Sequence, residues 1–164
     1  MKPRLGAFGL SLAVFALDRF SKLWIENNLS AFDTRVVIPG FFHIVYTQNR
    51  GAAFGLFSDS GGFWRDALLI GLAVIILAVV GRMLWRAETP FRNRLGLALV
   101  FGGALGNLHD RIVFGGVTDF LEFSLGAFRW PAFNVADSAI TAGAALLALE
   151  LWKPRQLRPE CTRS

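Results

Sequence analysis

Hydrophobic positions run in four long blocks, and the charged residues cluster between the blocks instead of alternating with them. Residues 5–17 and 67–81 carry no charge, 95–108 is nearly apolar, and 139–152 contains only Glu150. Apolar runs of this kind predict four helices that cross a membrane. Only the second block, about 64–85, approaches the roughly 20 residues needed to cross a hydrocarbon core of about 30 Å. The other three complete their spans with polar neighbours: Asp18, Arg19 and Lys22 in the first, Asn107 and Asp110 in the third, Asn134 and Asp137 in the fourth. Hydrocarbon does not accept those groups, so they are expected to face the interior of the helix bundle. With spans at about 5–25, 64–85, 95–112 and 133–152 in alternating directions, the three polar ends meet on one membrane face.

The stretch between the first two spans has a different period. Val36-Val37-Ile38, a Pro39-Gly40 turn and Phe41-Phe42-His43-Ile44-Val45-Tyr46-Thr47 predict two short strands. They form a β-rich insertion at about 30–58. Two strands do not bury a core alone, so their apolar face (Phe41, Phe42, Val45) is expected on the bilayer surface or on the 112–131 loop. Small residues follow in Asn49-Arg50-Gly51-Ala52-Ala53-Phe54-Gly55, where the backbone can approach a ligand or simply turn back to the membrane. In the 112–131 loop, Val117-Thr118-Asp119-Phe120 is again strand-like. Phe114, Phe120, Phe123, Phe128 and Trp130 fit an interfacial aromatic belt.

Composition agrees with an α-helical integral membrane protein in one polytopic domain, 1–164. Hydrophobic residues make up 54% of the chain, and the net charge of +5 is unevenly placed. Lys2, Arg4, Arg82, Arg86, Arg92, Arg94, Lys153, Arg155, Arg158 and Arg163 flank the spans on one side and mark it as cytoplasmic, with both termini. The polar convergence is then external or periplasmic. Basic charge in that arrangement indicates anchoring to anionic lipid, and nucleic-acid binding is not expected. Lys2 and Arg4 before an apolar run also fit a signal peptide, but Asp18-Arg19-Phe20-Ser21-Lys22 replaces a small-residue cleavage site, so a retained anchor is expected. Cys161 is alone in the predicted cytoplasmic tail, and His43 and His109 are scattered. Neither a metal nor a thiol nucleophile is expected.

Two carboxylates stand out because charge in an apolar setting is costly. Asp119 lies in the second loop and Asp137 just inside the last span, at the same expected depth. Asp137 has a purely structural explanation, since Asn134 as N-cap with an acid at N3 is close to a capping box. Capping does not explain Asp119. Two carboxylates that share one proton can act as base toward water and acid toward a carbonyl, and partial burial with like-charge repulsion keeps both from ionising together. Asp110 is expected to pair with Arg19 or Lys22, leaving Arg111 or Asn49 to hold a substrate backbone or lipid headgroup. Asp18, Lys22, Asp110 and Arg111 also fit a structural ion-pair cluster. A proton relay or transporter would need ionisable groups through the thickness of the bundle, and a passive scaffold leaves Asp119 without a role.

Asp18-Arg19-Phe20-Ser21-Lys22, Asn49-Arg50-Gly51-Ala52-Ala53-Phe54-Gly55, Gly106-Asn107-Leu108-His109-Asp110-Arg111, Val117-Thr118-Asp119-Phe120 and Phe133-Asn134-Val135-Ala136-Asp137, in this order, resemble the motif series of bacterial lipoprotein signal peptidase, or signal peptidase II. The resemblance covers the chain from the first span to the fourth. It implies a multi-pass inner-membrane aspartic endopeptidase with four transmembrane helices and a small periplasmic β-cradle. Its substrates are prolipoproteins, cut just before a cysteine that bears a diacylglyceryl group; no cofactor is implied, and a monomer in contact with membrane lipids is expected. By the same resemblance Asp119 and Asp137 are the catalytic pair. Asn49, Gly51, Asn107, Arg111 and Asn134 line the substrate site, and Asp18, Lys22 and Asp110 form a supporting polar shell. His109 and Glu122 depart from the family pattern, where an aliphatic residue and Asp are usual.

Overall fold

The structure is a computed structural model that describes residues 2–31, 33–51, 62–86 and 90–152. Four helices and a four-stranded antiparallel sheet make up the fold. The elements run α1 (Lys2–Asn28), β1 (Thr34–Ile38), β2 (Phe42–Asn49), α2 (Phe63–Trp85), α3 (Phe91–Phe114), β3 (Val117–Leu125), β4 (Phe128–Arg129) and α4 (Val135–Leu151). Residues 52–55 of the Asn49 motif and the basic tail with Cys161 lie outside the described residues.

At 1.5 Å rise per residue, α1, α2 and α3 are about 35–40 Å long and α4 about 25 Å. Among the described residues, α2 alone combines length and apolarity enough to cross a membrane. It is also mostly exposed: Leu68, Leu72, Ile75 and Val79 form an apolar stripe with no protein partner over it. The other helices trade that uniform apolarity for polar residues that meet inside the bundle.

α3 is the central helix, flanked by α1, α2 and α4. Small residues allow the approach. A Cβ at Gly102 would strike the Ser11 backbone of α1, and one at Gly143 of α4 would lie 2.6 Å from the Gly96 carbonyl oxygen. Ser11, itself buried, donates from Oγ to the Ala98 carbonyl at 3.0 Å and so bonds α1 to α3. The apolar core of the bundle is Ala7, Val80, Leu84, Leu97 and Ala98.

α3 stops at Gly115, whose left-handed φ of 69° lets its N–H turn back to the Arg111 carbonyl. The chain then enters β3, which is longer than the four strand-like residues 117–120 and joins the insertion strands in the order β1-β2-β3-β4. Asp119 pairs with Thr47 and Val117 with Asn49 across β2 and β3. The sheet sits on the end of α1 through Ile25, Leu29 and Phe120, with Ile44, Tyr46 and Val135 packed around them. One expectation changes here. Phe120 is a core residue and not part of an aromatic belt, because side chains alternate along β3 and its even positions face α1. Phe41 and Phe42 do rest on the 112–131 loop, both against Phe123, with Phe42 stacked and Phe41 tilted, while Ile44 and Tyr46 pack toward α1.

Candidate active site

α4 begins where α1, α3 and β3 meet. Asn134 is its N-cap: the side-chain carbonyl accepts from the Asp137 N–H at 2.9 Å, and Asp137 Oδ2 accepts from the Asn134 N–H at 3.3 Å. The capping box read from the sequence is therefore present. A second cap comes from another helix, because Asp18 Oδ1 of α1 accepts from the Ala136 N–H at 2.8 Å. Two of the free donors of the first turn are satisfied, and α4 is tied to α1 at the level of Asp137.

Behind that junction lies a buried ionic cluster. Lys22 and Asp18 are both fully buried. Lys22 Nζ donates to Asp18 Oδ2 at 2.7 Å and to Asn107 Oδ1 at 3.2 Å, and it lies 2.8 Å from Asp110 Oδ2. Arg19 Nη1 reaches Asp110 Oδ1 at 3.2 Å, so Asp110 pairs with both cations named as alternatives. Arg19 also pairs with Glu26 at 2.6 Å, and Glu26 accepts from the Thr118 hydroxyl at 2.8 Å. Glu26 was not singled out in the sequence, yet Asp18, Lys22 and Glu26 recur at four-residue spacing on one face of α1.

Asp119 and Asp137 stand in a different setting. Among the described residues, neither forms an ion pair with Lys or Arg. Their partners are asparagine amides: Asn134 Nδ2 donates to Asp119 Oδ1 at 2.7 Å, Asn49 Nδ2 to Asp119 Oδ2 at 3.1 Å, and Asn107 Nδ2 to Asp137 Oδ1 at 2.7 Å. Each amide is oriented by what its oxygen accepts. Asn107 Oδ1 faces the ammonium of Lys22, Asn49 Oδ1 takes the Gly51 N–H at 2.9 Å, and Asn134 Oδ1 takes the Asp137 N–H. A reversed amide would set two donors or two acceptors against each other, so all three NH2 groups turn toward the carboxylates.

Burial and the nearby charge of Asp137 push the Asp119 carboxyl up to about 7, against the opposing pull of the Asn49 and Asn134 hydrogen bonds. Asp119 is 3% exposed, whereas Asp137 is partly open. Both line one cavity of about 650 Å³, together with Asn49, Asn107 and Arg111, and the cavity continues down α4 past Thr141, Ala142 and Ala145. That α4 face, spaced three to four residues apart, was legible only as ordinary helix.

The expected site residues thus separate into layers. Asn49, Asn107 and Arg111 border the cavity with the two aspartates. Asn134 is fully buried and reaches the aspartates from behind. Gly51 contributes backbone: its N–H holds Asn49, and its carbonyl accepts from Arg111 Nη2 at 3.4 Å. Asp18, Lys22 and Asp110 lie deeper, joined to the cavity wall through Asn107.

The sequence profile of signal peptidase (SPase) II matches residues 10–153. The chain belongs to the signal peptidase II family. It is 47% identical over 151 residues to the lipoprotein signal peptidase of Solibacter usitatus, covering 92% of each chain. It is 43% identical over 163 residues to that of Pseudomonas putida, covering 94% of each. Two bacterial membrane enzymes solved by the in meso method, at 2.3 and 1.9 Å, superpose with TM-scores of 0.80 at 27% and 29% identity; the alignments cover 93% and 90% of this chain and 94% and 93% of theirs. The family consists of membrane proteases of lipoprotein processing, which remove signal peptides from prolipoproteins.

Proposed function

We propose that this protein is an aspartic endopeptidase that cuts diacylglyceryl-modified prolipoproteins just before the lipidated cysteine, with Asp119 and Asp137 activating water. The observation that carries this reading is that two carboxylates share one cavity with amide donors and no paired cation. With the Asp119 carboxyl raised to about 7, a substantial share of molecules carries a proton on Asp119 at neutral pH. Asp137, the more open of the two, takes a proton from water as the water oxygen adds to the scissile carbonyl carbon. Asp119 gives its proton to the carbonyl oxygen, and a proton returned through the pair leaves with the amine when the tetrahedral diol collapses. Asn49, Asn107 and Arg111 hold the substrate backbone, while Asn134 and Gly51 hold the groups that touch it.

In this reading all four helices cross the bacterial inner membrane and both termini are cytoplasmic. The aspartates lie on the periplasmic face, where water and a lipid-anchored peptide can meet. Support comes from the exposed apolar stripe of α2 and from Arg82, Arg92 and Arg94, which sit at the opposite end of the bundle from the aspartates. The protein in lipid vesicles, given a diacylglyceryl-modified prolipoprotein, is expected to release the signal peptide with the lipidated cysteine as the new N-terminus, read by mass spectrometry. Equal cleavage of the unmodified precursor, or a cut elsewhere, contradicts the substrate assignment.

A further inference from the structure

α1 and α3 run parallel along the bundle. Ser11 donates to the Ala98 carbonyl, the Gly102 backbone lies against Ser11 and Val14, and the Gly106 backbone lies against Asp18. At the end far from the aspartates, a groove of about 320 Å³ lies between the two helices. Gly6, Ala7 and Leu10 form one wall, and Phe91, Leu95 and Ala98 form the other. Arg94 is the one charged side chain that borders it among the described residues. The missing side chain of Gly6 keeps the groove open, since a Cβ there would meet nothing within 4 Å.

The mouth of the groove is cationic. Arg94 lies one turn before Ala98 and Arg4 one turn before Ala7, and Ala7 and Ala98 share one core cluster, so the two arginines stand at the same height. Arg4 lies over the Trp85 ring at 5.8 Å, and Arg82, Arg86 and Arg92 belong to the same end of the bundle. Among the described residues, Glu150 of α4 is the acid set against these arginines. Apolar walls beneath a cationic rim match the two ends of an anionic phospholipid, whereas a free anion would leave the walls unused.

We propose that this groove binds one anionic phospholipid, with an acyl chain between α1 and α3 and the phosphate at the level of Arg94 and Arg4. A zwitterionic lipid offers the same phosphate but brings its own cation into the arginine cluster. Net headgroup charge therefore decides between lipids. The bound chain fills space beside the Ala7 and Ala98 junction that the protein leaves empty, so occupancy is expected to stabilise the folded chain. Neither the site nor its occupant depends on the chemistry at Asp119 and Asp137.

Native mass spectrometry of the full chain in detergent, titrated with phosphatidylglycerol or phosphatidylcholine of the same acyl chains, reads the first bound lipid. The wild type is expected to bind phosphatidylglycerol about tenfold more tightly, the scale of one or two arginines at a membrane surface. Its Tm is expected to rise with phosphatidylglycerol and not with glycerol phosphate, which carries the charge without the chains. Gly6→Leu fills the groove without a clash at its Cβ, and leucine is the better helix former, so the lipid-free variant is expected to retain the parental Tm. That variant should lose the first binding event. Arg94→Gln is expected to bind both lipids alike. Arg82→Gln removes the same charge from an exposed position on α2, outside the groove wall, and should keep the preference. Equal affinity of the wild type for the two lipids, an equal Tm rise with glycerol phosphate, unchanged binding by Gly6→Leu, or equal losses in Arg82→Gln and Arg94→Gln would each overturn the site.

Discussion

The molecule buries carboxylates in two adjoining places and treats them in opposite ways. Asp18 and Asp110 share Lys22, with Arg19 completing the set, so charge is matched by charge within hydrogen-bond distance. Asp119 and Asp137 have amides and no ion pair, with the Arg111 guanidinium bordering the same cavity, and burial with the Asp137 charge raises the Asp119 carboxyl to about 7. A matched cluster stabilises a junction of helices. In the proposed mechanism, the pair without a salt-bridge partner keeps a proton available for transfer. Asn107 joins the two, accepting from Lys22 on one side and donating to Asp137 on the other.

The contrast breaks most severely if the matched cluster loses its cation. Lys22→Met leaves Asp18 and Asp110 buried without it and is expected to cost about 3–5 kcal/mol, as removal of one partner from a buried ion pair does. Loss of monodisperse protein in detergent and a lower Tm check this. Gly106→Ala acts on the same cluster by volume: the new Cβ would stand 2.6 Å from Asp18 Oδ2, and a shift of Asp18 would also loosen its cap on α4. About 1–3 kcal/mol is expected, read as a lower Tm.

Much of this arrangement was legible from residue types and spacing. The four helices, the two insertion strands and the capping box of Asn134 and Asp137 are local patterns, and the structure contains them. The pairing of Asp110 with Arg19 and Lys22 followed from the cost of burying charge. What was not legible depends on tertiary register. Nothing in 112–131 says that β3 runs on to Leu125 and pairs with β2, and that pairing is what brings Asn49 to Asp119. It also moves Phe120 from the expected belt into the core. Gly51 acts through its backbone, which residue type does not reveal, and the cavity face of α4 emerges only when β3 and α3 stand beside it. The likeness of five motifs to one family supplied the link between Asp119 and Asp137 that spacing alone could not.

Smaller effects sharpen the contrast where the two clusters touch. Asn107→Leu removes the donor to Asp137 and an acceptor of Lys22, and a rate loss of about 10–100-fold is expected, the size seen when an orienting partner is lost. The folded fraction should fall less than in Lys22→Met. Asn49→Ala is gentler. Its Nδ2–H favours the ionised form of Asp119, so removing it raises that carboxyl further above about 7. Catalysis needs the pair to hold one proton, and activity then persists to higher pH. The alkaline limb of kcat/KM is expected to move upward by up to about one pH unit, the scale of one hydrogen bond.

The central claim is that Asp119 and Asp137 carry the chemistry as one unit, and cleavage by Asp119→Asn and Asp137→Asn tests it most directly. At matched amounts of folded protein in vesicles, each variant should retain the Tm of the parent to within a few degrees. Each should lose at least about 10³-fold in cleavage of a lipid-modified prolipoprotein, because an amide cannot take or give the proton. Wild-type cleavage in either variant would contradict the account.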